Sequence, residues 1–170
     1  MDIREQFLGA YQKQALDSIS LPEGLKAQYT IQSCLKDGER QVFLVVDGAG
    51  WPAVLKLQPS GREDSLRREY DLLRRLCHPQ IPRPLAYLEC DGQEYMVREY
   101  VEGVSLYEQV CAQGPFSPDQ VKSAAMSLCQ VLDYLHSQNP PVICRDVKPQ
   151  NVVMDSSGRC HLIDLGAARH

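Results

Sequence analysis

Between residues 29 and 57 the chain alternates apolar and polar residues with a period of two, and the alternation is interrupted twice at Asp-Gly. The apolar runs 29–35, 41–46 and 52–57 are split by Lys36-Asp37-Gly38-Glu39 and by Asp47-Gly48-Ala49-Gly50. A period of two places alternate side chains on opposite faces of a strand. Asp-Gly between such runs favours a tight reversal, because both residues tolerate positive φ. Three antiparallel strands in a meander are therefore predicted. Runs 85–90 and 94–101, on either side of Asp91-Gly92, predict a further hairpin.

The segment between these hairpins has helical spacing. Asp64 or Ser65 can cap it, and Leu66, Leu73 and Leu76 form one apolar stripe. Glu69 lies on that same stripe, and a carboxylate on the buried face of a helix needs a partner. Three prolines in His78-Pro79-Gln80-Ile81-Pro82-Arg83-Pro84 end the helix. After Glu102-Gly103 the period becomes 3.6. A short helix is expected over 105–112, and the capping box Ser117-Pro118-Asp119-Gln120 opens a longer one. Val121, Ala125, Leu128, Val131, Leu132 and Leu135 are expected to face inward, and Pro140-Pro141 stops the helix. Two short strands, 152–154 and 161–163, follow around Ser156-Ser157-Gly158. The order predicts an α+β fold in two lobes: a polar lead-in over 1–28 with no chemistry assigned, a first lobe over 29–101 and a second over 102–170.

Composition narrows the partners. Eighteen basic against 22 acidic residues leave a net charge of −4, which points away from nucleic acid and from an anionic membrane surface. The seven cysteines include no C-x-x-C pair, so no disulfide framework or zinc site is expected and a reducing cytoplasm fits best. Residues 1–10 lack the apolar core of a signal peptide, and no apolar run is long enough to span a bilayer.

The chemistry concentrates in Asp146-x-Lys148-x-x-Asn151 and in Asp164-Leu165-Gly166, thirteen residues further on. Phosphoryl transfer asks a protein to hold metal, neutralise charge and aim a hydroxyl. Asp146 suits the last task. Lys148 offers a compact positive charge for the γ-phosphate. Asn151 and Asp164 are hard oxygen donors suited to Mg²⁺.

Cys144-Arg145-Asp146-Val147-Lys148-Pro149-Gln150-Asn151, followed by Ile163-Asp164-Leu165-Gly166, resembles the active-site sequence of the protein kinase family. The likeness is to the Ser/Thr type, prokaryotic in flavour, and covers about residues 29–169; Lys148 is what separates it from Tyr kinases. It implies a two-lobed kinase fold: an antiparallel N-lobe sheet with one αC-like helix, then a helical C-lobe left incomplete after Asp164-Leu165-Gly166. It implies ATP and Mg²⁺ as cofactors and a protein substrate bearing Ser or Thr. By the same resemblance Lys56 holds the α- and β-phosphates with Glu69 as its ion-pair partner. The main chain of Glu99 and Val101, in a hinge over 99–104, binds the adenine edge. Arg98 takes the gatekeeper position, and Val42, Val54 and Val153 sandwich the ring.

Three departures bear on activity. Counted back from Val42, the family's loop glycines fall on Leu35, Asp37 and Arg40, with only Gly38 nearby. Cys144 and Leu165 replace the usual His and Phe, and both are expected to pack as apolar groups. The chain stops at Arg169-His170, so a truncated catalytic domain is expected, with apolar surface on the helix over 117–138 that a partner could cover. The alternative is an ATP-binding pseudokinase without turnover. A small-molecule phosphotransferase ranks last, because its loop more often has His or Asp where Lys148 stands.

Overall fold

The computed structural model describes residue 19 and residues 21–169, so most of the lead-in over 1–28 lies outside the described residues. Within its described part a single helical turn forms, α1 (Glu23–Lys26). The Asp-Gly reversals sit where the sequence puts them. They join β1 (Tyr29–Lys36), β2 (Gln41–Asp47) and β3 (Pro52–Pro59), while β4 (Pro84–Cys90) and β5 (Gln93–Glu99) meet at the third. The Asp47 carboxylate accepts the N–H groups of Ala49 and Trp51, both at 2.9 Å. Asp91 and Gly92 take φ of 52° and 72°, the positive pair that a two-residue hairpin turn requires.

The five strands form one sheet in the order β1-β2-β3-β5-β4, with the first three pairings antiparallel. One face carries the apolar core: Phe43, Val45, Leu55, Tyr95 and Val97, closed by Leu21 and Leu25. The register brings the other parity onto the opposite face, where Val42 lies across from Lys56, Val54 from Arg98 and Lys56 from Met96. β3 is buried on both faces from Ala53 to Gln58, so its alternation is one of chemistry rather than of exposure. β5 stops at Glu99, two residues short of its predicted end.

The chain forms two compact units. The first holds the described residues up to Arg62 together with Leu85–Tyr100, and the second holds Glu63–Pro84 with Val101 onward. The second unit therefore takes in the helix that the sequence groups with the first sheet. That helix, α2 (Leu66–Leu73), is capped by Ser65, whose Oγ accepts the Arg67 N–H at 3.0 Å. Its buried side chains are Leu66, Glu69, Leu72 and Leu73, so the carboxylate does lie on the apolar stripe. Leu76 is buried too, but in a turn beyond the helix.

Both later helices are closed by capping boxes with both reciprocal bonds made: Ser105 with Glu108 for α3 (Leu106–Gln113), Ser117 with Gln120 for α4 (Pro118–His136). The buried stripe of α4 is Ala124, Val131 and Leu135. Val121 and Ala125, expected inside, are exposed, whereas Leu128 and Leu132 are half-buried. Successive helical residues turn by about 100°, and the side of α4 that meets the neighbouring strand is fixed by Ser127, whose Oγ accepts the Cys160 N–H at 2.9 Å. That centring favours Ala124 over Ala125 and leaves Val121 and Met126 outward.

β7 (Val152–Met154) appears as predicted, and β8 (Cys160–Leu162) lies one residue earlier than predicted. A two-residue strand, β6 (Val104–Ser105), joins them in the order β6-β7-β8. It is too short to leave a periodic signal. Gly103 sets its approach: φ is +153°, and a Cβ there would lie 2.3 Å from the Met154 carbonyl oxygen. Gly103→Ala is therefore expected to destabilise the protein by roughly 2–4 kcal/mol, read as a lower urea midpoint at unchanged m-value; an unchanged midpoint would contradict this close approach.

Candidate active site

Proline at 149 fixes φ at the start of a 3₁₀ turn, Pro149–Asn151, closed by Asn151 N–H donating to the Lys148 carbonyl at 2.9 Å. The turn returns Asn151 to the residue five positions earlier. Its Nδ2 donates to the Asp146 main-chain oxygen at 3.0 Å and to Oδ2 at 3.1 Å. Lys148 Nζ lies 2.6 Å from the same Oδ2. Both members of that ion pair are nearly half exposed, a setting in which such a pair adds little to stability. Its effect is to orient: one carboxylate oxygen is held by an ammonium and an amide.

Asn151 also begins a hairpin. Its carbonyl accepts the Ile163 N–H at 2.9 Å, one rung beyond the Val152–Leu162 pair. Asp164 follows immediately, and its Oδ1 accepts the Gly166 N–H at 3.0 Å. With Nδ2 committed to Asp146, the Asn151 amide oxygen is the atom that would ligate a cation. With the Asp164 carboxylate this makes a sparse, all-oxygen donor set, which fits Mg²⁺ completed by substrate phosphates and water. No cluster of three or more His, Cys, Asp or Glu side chains suited to a metal occurs among the described residues.

The hairpin turn is tied by Asp155. Its Oδ1 accepts from Ser157 N–H, Ser157 Oγ–H and Arg159 N–H at 2.9, 2.6 and 3.1 Å, and its Oδ2 meets His161 Nε2 at 2.8 Å. The Ser157 hydroxyl first, then His161, hold this carboxyl far below its ordinary range. Gln80, which no sequence pattern singles out, links α4 to β8: its Nε2 donates to Ser127 Oγ at 2.9 Å and to the Cys160 carbonyl. Beyond Asp164, Ile143 and Arg169 exchange both main-chain bonds, at 2.8 and 3.1 Å, and Arg145 Nε donates to the Ala167 carbonyl. A cavity of about 260 Å³ in this unit lies between Glu69 and Leu72 of α2, with Arg75 just beyond that helix, and Leu165, Gly166 and Arg169. Burial pushes the Cys144 thiol up, and the Asp146 and Asp164 charges act the same way, which keeps it protonated.

In the first unit, Lys56 is 3% exposed, with Val54 two residues before it on the same face and Val42 directly across. Arg98 Nη1 donates at 3.0 Å to the carbonyl of Glu99, part of the main chain that the resemblance assigns to the adenine edge. In the β1–β2 loop the Gly38 N–H donates to Asp37 Oδ1 at 2.8 Å and Gln41 Nε2 joins it at 3.1 Å. Those two bonds, Gln41's first, lower the Asp37 carboxyl, so the loop is anionic and its one glycine amide is engaged. A further chain of bonds runs from Arg40 through Gln58 and Glu94 to Tyr87. It escaped the sequence reading, although the strand period places Gln58 on the Lys56 face.

The expected residues thus fall into two sets. Asp146, Lys148 and Asn151 meet directly, with Asp164 one residue from a main-chain partner of Asn151. Val42, Val54 and Lys56 share one sheet face. Val153 is buried in β7 opposite Ser105 and His161, and Val101 is the first residue of the second unit after the sheet.

A family model described as the protein kinase domain matches residues 53–170. The chain is 43% identical over 94 residues to Serine/threonine-protein kinase B of Synechocystis, a match covering 55% of this chain and 16% of that protein. Kinase D of the same organism is 41% identical over 91 residues, covering 53% and 17%. A calcium/calmodulin-dependent protein kinase of Metarhizium anisopliae is 28% identical over 151 residues, covering 85% and 39%. The chain therefore spans well under half the length of these relatives.

A depressed folded pKa stabilises above the unfolded value of about 3.9 and is lost as pH falls through the folded one. Asp155→Asn should accordingly cost about 1 kcal/mol at pH 7, with the gap from the parent protein closing in the acid range below about 3.9. A gap that is the same at pH 7 and pH 2.5 in urea titrations would show that the Asp155 charge does not secure the turn.

Proposed function

The chain belongs to the protein kinase family, and on that premise we propose that it transfers the γ-phosphate of ATP to a Ser or Thr hydroxyl of a protein. What carries the proposal is the meeting of Lys148 and Asn151 on the single carboxylate of Asp146, in the order and spacing of the motif. Asp146 accepts the hydrogen bond of the incoming hydroxyl and aims its oxygen. Lys148, anchored on that carboxylate, stands ready to neutralise the transferred group. Asn151 Oδ1 and Asp164 would hold the magnesium ion, which when bound screens the charge of the β- and γ-phosphates. Lys56 takes the α- and β-phosphates with Glu69 as its partner, Val42, Val54 and Val153 flank the adenine, and Glu99 and Val101 in the hinge over 99–104 read its edge. A partner with a complementary apolar surface would cover the outward side of α4, where Val121 and Met126 are exposed. The site of action in this reading is cytoplasmic, in keeping with seven cysteines that include no C-x-x-C pair; no helix among the described residues is long and apolar enough to cross a membrane.

A second reading, an ATP-binding pseudokinase, is favoured by one observation. The loop that cradles phosphate in the family presents a low-pKa carboxylate at Asp37, and its glycine amide is bonded to it. The two readings part on turnover. With radiolabelled ATP, Mg²⁺ and a generic protein acceptor, the parent chain should transfer label. Asp146→Asn should lower that rate by about 10²–10⁴-fold while ATP binding persists. Binding without transfer in the parent chain would establish the pseudokinase instead.

A further inference from the structure

Arg40 stands where the third glycine of a phosphate loop would fall, and it is not a loose loop residue. Gln41 pairs with Leu57, so Arg40 continues the register opposite Gln58, and its Nε donates to Gln58 Oε1 at 2.7 Å. Gln58 Nε2 donates to Glu94 Oε2 at 2.8 Å, and Tyr87 Oη donates to Glu94 Oε1 at 2.9 Å. Gln58 is 0% exposed and Glu94 3%, so the middle of this relay, which runs from the residue before β2 through β3 and β5 to β4, is buried. A buried network whose amide is bonded at both ends admits one orientation of that amide, and it stiffens what it holds. What it holds is the plane of the Arg40 guanidinium.

The face matters. Gln58 and Lys56 are alternate residues of β3, so their side chains emerge on the same side, about 7 Å apart along the strand. Arg40 therefore lies one diagonal step from Lys56. The loop itself offers phosphate little, because the Gly38 N–H is bonded to the Asp37 carboxylate. A guanidinium fork can supply the paired N–H donors that a glycine loop supplies from its main chain.

We infer that Arg40 is the phosphate-binding group of this loop, taking over from the close approach of main-chain N–H groups that glycines permit, and that Gln58, Glu94 and Tyr87 are its positioning residues. The inference rests on the proposed reading that Lys56 binds a nucleoside triphosphate. Losing an interaction with phosphate alone weakens ATP binding and leaves adenosine binding untouched, whereas losing a purely structural contact weakens both.

Calorimetric titrations of the full chain with ATP, ADP and adenosine in Mg²⁺ test it. Arg40→Met should weaken ATP at least about tenfold with adenosine affinity unchanged, and Arg40→Lys should recover part of the loss. Gln58→Met should act in the same direction, and the double variant should bind no worse than Arg40→Met alone, because both changes remove one unit. Unchanged ATP affinity in Arg40→Met, equal losses for ATP and adenosine, or additive losses in the double variant would overturn the inference while leaving the kinase reading intact. A parent chain that binds adenosine and ATP equally, or neither, would overturn both.

Discussion

The hydrogen bond from Ile163 N–H to the Asn151 carbonyl fixes the geometry on which the proposed chemistry depends. It closes the base of the β7–β8 hairpin, so a residue at the end of one loop and a residue twelve positions later become partners, and Asp164 comes next. The Asn151 side chain then reaches the other way and binds Asp146 twice. One asparagine thus couples two segments, through its main chain to the Asp164 side and through its amide to the Asp146 side. The Asp155 knot at the far end of the same hairpin keeps that register, and Gln80 and Ser127 tie β8 to α4. No single contact in this set is strong in water. Their effect is to leave few alternative positions for two carboxylates and a lysine.

The first unit solves a different problem. A sheet with an apolar core on one face carries on the other Lys56, Gln58, Glu94 and Arg98, all 4% exposed or less. Burying such groups is unfavourable unless each finds partners, and the relay from Arg40 to Tyr87 supplies several of them. A polar layer of this kind restricts where the β1–β2 loop can lie. In a loop without the usual glycines, that restriction turns a substitution that looks damaging into a defined donor.

Much of this was legible in the residues. Asp-Gly turns and strand period gave the antiparallel sheet, the change to a 3.6 period gave α3, a capping box gave α4, and an acidic residue on an apolar stripe marked Glu69. The motif around Asp146 gave the cluster with Lys148 and Asn151. What was not legible depended on contacts far apart in sequence. The inward side of α4 was set by Ser127 meeting Cys160 rather than by the helix's own pattern, so Val121 and Ala125 were misplaced. β6 exists because Gly103 lets two residues approach Met154, and two residues have no period. The Gln58–Glu94 relay joins positions 36 residues apart, and nothing local to either announces it.

In the proposed site Asn151 and Asp164 together hold a divalent ion carrying ATP. Manganese(II) can take the place of Mg²⁺, and its unpaired electrons broaden nearby NMR signals. With Mn²⁺-ATP added, the Asn151 side-chain amide and the Gly166 N–H should broaden first and most, and Asp164→Asn should remove the effect. Broadening that spares both signals, or that persists unchanged in Asp164→Asn, would contradict the account.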